Sequence, residues 1–334
     1  MALVPPRWWN DPRRDWTAVL SDPWYSVVLS LGHHVLCATN DFFHSAGFVF
    51  TPLPCTTTSV SSPAEPGSDS EPVLVSIRGV DIYLADSMQF GLEVMVRLHP
   101  RGVFYVMPCF RGEPTDAQHL PQFTHIEVEV AGGLEDVITL AEGLLRSIAD
   151  AVLTKCHDLV LATASTDHHL RSFIDHPVER VRFQDAAGVV EGRDSNIERA
   201  RLSGNDHVQL LHKYGRDNAL WITHFPHNSV PFYQASEGNS PWALCADLHL
   251  GALAIETVGA GERHLEADAV RAAIDRHGLA CEPYDWYVRL RELRPMRTAG
   301  FGIGLERLLL WILRHDDIRD VSLFYREQGR AVTP

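Results

Sequence analysis

Residues 300–313 read GFGIGLERLLLWIL, and this stretch constrains the fold more than any other. A strand or Gly-rich turn runs into a strongly amphipathic helix. Glycines at 300, 302 and 304 let the backbone approach a flat ligand closely, because no Cβ intrudes. Arg307 stands at the start of the helix, where its planar fork suits a phosphate. Taken alone, a Gly-x-Gly-x-Gly string fits a tight strand-to-helix contact equally well.

The rest of the chain supplies elements of both kinds. The 334 residues are 45% hydrophobic, enough for one large domain, or one domain with an insertion, around a sizeable core. Residues 25–46 carry apolar side chains at helical spacing and stop at Gly47, a fitting C-cap. FVFTPLP at 48–54 reads as a short strand stopped by prolines. The Ser/Thr/Pro-rich stretch 55–72 reads as a flexible loop, and VLVSIRGVDIYLA at 73–85 as strand-like. Residues 87–99 have helical spacing. GVFYVMPCFRG at 102–112 and QFTHIEVEVA at 122–131 read as antiparallel strands around a polar turn. Residues 135–153 are predicted helical, as are 265–278 and 282–292. LWITHFP at 220–226, VPFYQ at 230–234 and LGALAIETVGA at 250–260 are strand-like. Residues 1–24 form an irregular arm rich in Trp and Pro. The segment 154–218 is weakly patterned, with helical stretches around 196–214, and reads as a helical insertion. Strands cluster without βαβ alternation, which predicts an α+β fold with a mostly antiparallel sheet flanked by helices.

The formal charge is −14, and only two lysines occur, Lys155 and Lys213. Such a surface repels phosphodiester backbones, whose partners depend on Lys and Arg. The six cysteines form no C-x-x-C pair, which argues against a zinc knuckle and for thiols in a reducing compartment. No apolar run of 18 residues occurs, so no membrane span and a cytoplasmic protein are expected.

A second motif is FRGEPTDAQHLPQFTHIEVEV at 110–130. A strand ends on an Arg and an acid, turns, and returns through a His and an aromatic residue. Arg111 could hold an α-phosphate, Phe123 stack on a base, and His119 reach the outer phosphates. An ordinary hairpin with a surface ion pair has the same pattern.

With AGFVFTPLP at 46–54, the two motifs resemble, in order and spacing, the three signature motifs of the class II aminoacyl-tRNA synthetases. The nearest branch is the aspartyl/asparaginyl group. FPHNSVPFY (225–233), IETVGAGER (255–263), EPYDWYVRLR (282–291) and DDIRDVSLFYR (316–326) extend the resemblance from about residue 40 to 330. It implies a catalytic domain over 25–334 that uses ATP and Mg²⁺ to adenylate a carboxylate, and a homodimer built on the first motif. It also implies roles for single residues. Arg111 matches the arginine on the α-phosphate and Arg307 the one on the γ-phosphate. Glu113 matches the acid at the adenine amino group, His119 the γ-phosphate contact, and Phe123 the adenine stack. Gly302 and Gly304 fall beside the nucleotide, and Glu256 at the Mg²⁺ ligand. Ser87, Gln89 and Glu127 fall where the substrate α-amino group is held, with Glu127 replacing the more usual Asp. Arg263 matches the arginine that reads an Asp or Asn side chain.

The chain also departs from the resemblance. About 40 residues without strand patterning precede the first motif, where tRNA ligases of this branch carry an anticodon-binding barrel. The turn PTDAQ is short, Gln118 stands where Arg is frequent, and Tyr325 replaces a proline. With the acidic charge, these changes argue against tRNA as the acceptor and for ammonia or a small amine. The shortened form is similar to the asparagine synthetases built on the same core. Those carry a lysine where this chain has Leu92, followed by Glu93. A pocket of Arg263 and Glu93 suits an amide, with a solvated helix acid as the alternative for Glu93. The expected activity is therefore adenylation of asparagine or a similar amino acid. An aspartate-to-asparagine synthetase, a non-catalytic regulator binding amino acid or ATP, and a minimal asparaginyl-tRNA ligase are the alternatives.

Overall fold

The protein is described here from a computed structural model, which covers residues 3–10, 16–62, 71–188, 202–217, 219–252, 254–327 and 329. The parts of the predicted loop 55–72 and insertion 154–218 that fall at 63–70, 189–201 and 218 lie outside the described residues.

Eleven described strands follow in chain order. They are β1 (Val49–Phe50), β2 (Thr56–Thr57), β3 (Val73–Ile77), β4 (Val80–Leu84), β5 (Val103–Phe110), β6 (Gln122–Ala131), β7 (Glu179–Arg182), β8 (Ala219–Thr223), β9 (Cys245–Leu250), β10 (Ile255–Glu262) and β11 (Thr298–Gly304). Eight of them form one sheet in the order β1-β5-β6-β11-β10-β9-β8-β7. Only its two outer pairs, β1 with β5 and β7 with β8, are parallel. The sheet is thus mostly antiparallel, as expected. The strands β2, β4 and β3 make a small second sheet.

The helices are α1 (Ala18–Ser21), α2 (Pro23–Ser45), α3 (Gln89–Val96), α4 (Leu134–Lys155), α5 (His157–Ala164), α6 (His168–Asp175), α7 (Phe183–Ala187), α8 (Gly204–Tyr214), α9 (Ala267–Arg276), α10 (Asp285–Leu293) and α11 (Leu305–Leu313). Asp22 caps α2 by accepting from the Trp24 amide at 2.9 Å, and Pro23 opens it. Gly47 follows its C-terminal end at φ +77°, and the Phe48 amide turns back to the Phe43 carbonyl at 2.9 Å.

Side-chain alternation gives the large sheet two different faces. Ile126, Val128, Phe301, Ile303, Val258 and Leu248 point one way and share a buried core with Leu31, Val35, Leu144, Ile148 and Leu309 of α2, α4 and α11. The opposite face carries the acids and bare glycines described below. No helix among the described residues is long and apolar enough to cross a membrane.

Three readings change. VLVSIRGVDIYLA is a hairpin of two strands, turned by Arg78 and Gly79 at φ +52° and +82°. LGALAIETVGA spans a hairpin turn, with Gly251 at φ +78° and Ala254 at φ +50°. VPFYQ forms no strand; Gln234 makes only an isolated bridge to Arg263.

The arm at 1–24 is only partly irregular over its described residues, since α1 and the first residues of α2 fall within it, and it is firmly docked. Trp8 and Trp24 are buried. Asp320, fully buried, accepts from Trp9 Nε1 at 2.8 Å and Arg7 Nε at 3.2 Å, and its carbonyl accepts from Trp24 Nε1 at 2.8 Å. Tyr325 is buried with its ring centroid 6.3 Å from Trp8 and 6.2 Å from Trp9. A flat aromatic wall against the indoles is what the tyrosine supplies there.

Candidate active site

Strand pairing lays residues in rows across the polar face of the large sheet. Tyr105, Glu127, Gly302, Gly259 and Asp247 make one row. Val103, Glu129, Gly300, Gly261 and Cys245 make the next. In the first row two glycines lie between two carboxylates. The missing side chains hollow the sheet, and the hollow is the floor of a cavity of about 610 Å³. Gly302 and Gly304 line it, and a Cβ at either would find ordinary spacing, no closer than 3.4 Å and 3.7 Å to its neighbours. Gly300 differs: a Cβ there would collide with the Val128 carbonyl and the Glu129 carboxylate, so contact within the protein requires that glycine.

At one end of the cavity Glu127 is buried on β6. Ser87 Oγ donates to it at 2.7 Å, the Tyr105 hydroxyl donates to the same oxygen, and His125 Nδ1 lies 2.8 Å from the other. The Gln89 amide donates to Ser87 Oγ at 3.1 Å, so the start of α3 fixes the serine. Burial opposes the charge on Glu127, but His125, Tyr105 and Ser87 outweigh it and hold the carboxyl below its ordinary value. Gln89 Nε2 is buried without a partner.

Beside this group Arg263 is 3% exposed. Its Nη2 donates to Glu129 at 3.0 Å, its Nε at 3.3 Å, and its Nη1 donates to Gln234 Oε1 at 3.3 Å. Burial pushes the Glu129 carboxyl up, the Arg263 guanidinium bonded to it pulls the other way and favours the ionised pair, and Glu93 adds to the push. The structure corrects the expected position of Glu93. It is fully buried behind the cavity wall, where it accepts from the Tyr287 hydroxyl at 2.6 Å and from Arg291. Arg263 Nε reaches it only at 4.0 Å. The acid that partners Arg263 is Glu129. Leu92 also faces away from the cavity, in an apolar cluster with Val96, Val103, Tyr105 and Met107.

At the other end Arg111 lies over the Phe123 ring, 5.4 Å from its centroid, and its Nε is buried without a partner. Arg307 Nη1 donates to the Glu256 carbonyl at 2.7 Å. Glu113, half-buried, has its carboxyl raised by desolvation. His119 is exposed, with Nδ1 2.9 Å from Asp116 Oδ1. That same oxygen accepts from the Gln118 and His119 amides at 2.7 and 2.8 Å, so Asp116 folds the turn onto itself.

Glu256 and Asp247 form an acidic pair near Gly259. Burial and the charge of Glu256 raise the Asp247 carboxyl well above its ordinary value. Two adjacent carboxylates, one of them raised by the charge of the other, are a fitting seat for a divalent cation. Among the described residues no group of three or more His, Cys, Asp or Glu could hold a metal unaided, so a ligand would have to complete the coordination.

The structure therefore gathers every proposed residue except Glu93 around one cavity. It adds Asp247, Gln234 and Glu306, with Glu129 behind Arg263. Glu306, at the head of α11, accepts from the Thr124 amide at 3.0 and 3.1 Å. The pattern EVEV at 127–130 and the alternation in VGAGE at 258–262 were the signals for the row that holds Glu129.

The model of the class II tRNA synthetases (D, K and N) matches residues 13–328. Among solved structures, the asparaginyl-tRNA synthetase of Pyrococcus horikoshii complexed with asparaginyl-adenylate aligns with 95% of this chain and 72% of its own, at TM-score 0.88 and 22% identity. The Entamoeba histolytica asparaginyl-tRNA synthetase in complex with asparaginyl-adenylate aligns with 94% of this chain and 70% of its own, at TM-score 0.80 and 22% identity. A crystal structure described as a putative aspartyl-tRNA synthetase from Leishmania major Friedlin aligns with 92% of this chain and 66% of its own, at TM-score 0.78 and 18% identity. At these identities the structural likeness establishes the fold. The match over nearly the whole sequence goes further: the chain belongs to the class II tRNA synthetase family of the D, K and N group, a family of adenylate-forming ligases.

Proposed function

We propose that this protein activates the carboxylate of asparagine, or of an amino acid with a similar neutral side chain, as an acyl-adenylate. The observation that carries this reading is the pairing of Arg263 with Glu129. With its charge already matched, Arg263 offers hydrogen bonds rather than a net positive field, and an amide meets that offer without leaving a buried charge unpaired. Asparaginyl-adenylate in two similar structures supports it.

The reaction needs no nucleophilic side chain. The substrate carboxylate attacks the α-phosphorus of ATP, pyrophosphate leaves, and a mixed anhydride forms. Glu127, Ser87 and Gln89 would hold the α-amino group, accepting from it through their side-chain oxygens. Arg111 would meet the α-phosphate and Arg307 the γ-phosphate, with Phe123 and Glu113 at the adenine and His119 at the outer phosphates. Asp247 and Glu256 would hold Mg²⁺, which supplies positive charge to the phosphates. Fixed cations aimed at the developing charge, together with positioning, account for the catalysis.

For the second step we propose ammonia or a small amine as acceptor. It attacks the carbonyl carbon, and AMP leaves. The acidic charge of −14 and the turn closed by Asp116 support this. Membership in a tRNA synthetase family favours a second reading, with tRNA as acceptor. ATP–pyrophosphate exchange across an amino-acid panel tests the first step, and AMP release with ammonia against total tRNA separates the acceptors. Strongest exchange with aspartate would overturn the side-chain assignment.

We propose that two copies associate through α2 and β1. The edge strand β1 leaves Val49 and Phe50 exposed, and α2 exposes Leu29. Phe50→Asp should convert a dimer to a monomer in light scattering. A wild-type monomer at micromolar concentration would refute the assignment.

A further inference from the structure

Gln234 occupies its place because residue 261 is a glycine. A Cβ at 261 would collide with the Gln234 carboxamide oxygen, and Gly261 lies in the sheet between Gly300 and Cys245, beneath Gln234. The glutamine side chain fills that volume. It is 8% exposed, and what remains exposed faces the cavity.

Its position is fixed from three directions. Arg263 Nη1 donates to its Oε1 at 3.3 Å. Its backbone amide donates to the Pro231 carbonyl at 3.1 Å. Its own carbonyl lies 2.7 Å from His227 Nε2, which must therefore be the protonated ring nitrogen. Because Arg263 holds the oxygen, the carboxamide N–H groups are left to meet a ligand. Arg263 meanwhile gives Nε and one Nη2 proton to Glu129. The subsite thus has a short reach, donors on its wall and no unmatched positive charge.

We propose that Gln234, seated in the space left by Gly261, selects the side chain of the activated amino acid. It keeps Arg263 in a hydrogen-bonding role and restricts the subsite to short, neutral side chains that end in an oxygen acceptor. This rests on the adenylation reading above. A site built to hydrogen-bond its ligand discriminates far better than one that only fits its shape.

The test uses Gln234→Met, which preserves bulk and removes the amide, with Gln234→Ala, Gly261→Ala and their double variant. Amino-acid binding is read by calorimetry without ATP, and activation by pyrophosphate exchange, for asparagine, aspartate and glutamine. Gln234→Met should reduce the preference for asparagine over aspartate by about tenfold or more, in amino-acid affinity and KM rather than in the KM for ATP. Gly261→Ala should lower asparagine affinity at least tenfold in the wild-type background and have little effect once Gln234 is Ala, because the collision has gone. Unchanged binding ratios in Gln234→Met, or additive effects of the two alanine changes, would overturn the role of Gln234. Wild-type binding without exchange would sink the adenylation reading and leave the binding test of Gln234 intact. Failure of all three amino acids to bind would overturn both.

Discussion

The two ends of the cavity are built in opposite states of completion. At the Arg263 end every charged group already has a partner inside the protein: Glu127 with Ser87 and Tyr105, Arg263 with Glu129, and Glu93 with Arg291 and Tyr287. At the Arg307 end no carboxylate among the described residues is bonded to the arginines, Arg111 Nε is buried without an acceptor among them, and burial beside Glu256 pushes the Asp247 carboxyl well up. One end is finished before a ligand arrives. The other stores unmet charge that a polyanion and a cation would satisfy together. Changes at the unfinished end should therefore damage turnover, and changes at the finished end should mainly damage recognition.

The largest effect tests this directly. Arg111→Ala or Arg307→Ala should lower pyrophosphate exchange by about 100-fold or more, as for the loss of one preorganised donor. Ordinary exchange in both variants would erase the contrast.

Asp247→Asn should lower exchange by about 10- to 100-fold, as weakened cation binding does, while stabilising the empty protein. The sign follows from the raised carboxyl. The folded state resists losing that proton, so stability falls as pH rises above the value of an unfolded aspartate, and an amide removes this loss at neutral pH. Melting in EDTA should rise by a few degrees, at roughly 2–4 °C per kcal/mol. A lower melting temperature would mean that Asp247 is already satisfied.

At the finished end, Glu127→Gln should raise the amino-acid KM by roughly tenfold with a smaller change in kcat, the size of one charge-assisted hydrogen bond. An equal fall in kcat and kcat/KM would place Glu127 in the reacting machinery instead.

The smallest effect at neutral pH becomes large in acid. His227 and His264 lie beneath the Arg263 end, pushed down by burial and neighbouring cations to about 3 and about 4. Unfolded histidines take up protons near pH 6.5 and these folded ones do not, so stability falls as pH drops from about 6.5 towards 4. Each contributes a slope of up to about 1.4 kcal/mol per pH unit. Urea melts of His227→Gln and His264→Gln against wild type should show that slope reduced; an unaltered slope would assign the acid sensitivity elsewhere.

What could be read from sequence was local. The Gly-rich stretch and its helix, seen as β11 and α11, and the predicted helix at 135–153, seen as α4, each declare themselves through a short periodic pattern. The acids of the finished end were harder. Glu93 faces Arg291, nearly two hundred residues later in the chain, and nothing near Glu93 announces that partner. Asp247 was hidden because the apolar run through Gly251 and Ala254 reads as one continuous strand. Its turn lacks the Asn-Gly or Asp-Gly signal that would have split it. With the hairpin in place, Asp247 falls beside Gly259 and the second carboxylate becomes evident.

The knot at Asp320 has a consequence for how the protein is made. Trp9 and Trp24 complete their hydrogen bonds with a residue that lies 311 and 296 positions further on. At roughly 5–20 residues per second, a ribosome needs on the order of tens of seconds to cross that interval. Through all of it the Asp320 acceptor is missing. The arm is therefore among the first segments synthesised and among the last to dock. A nascent chain stalled before residue 320 should leave it open to protease, while the completed chain protects it.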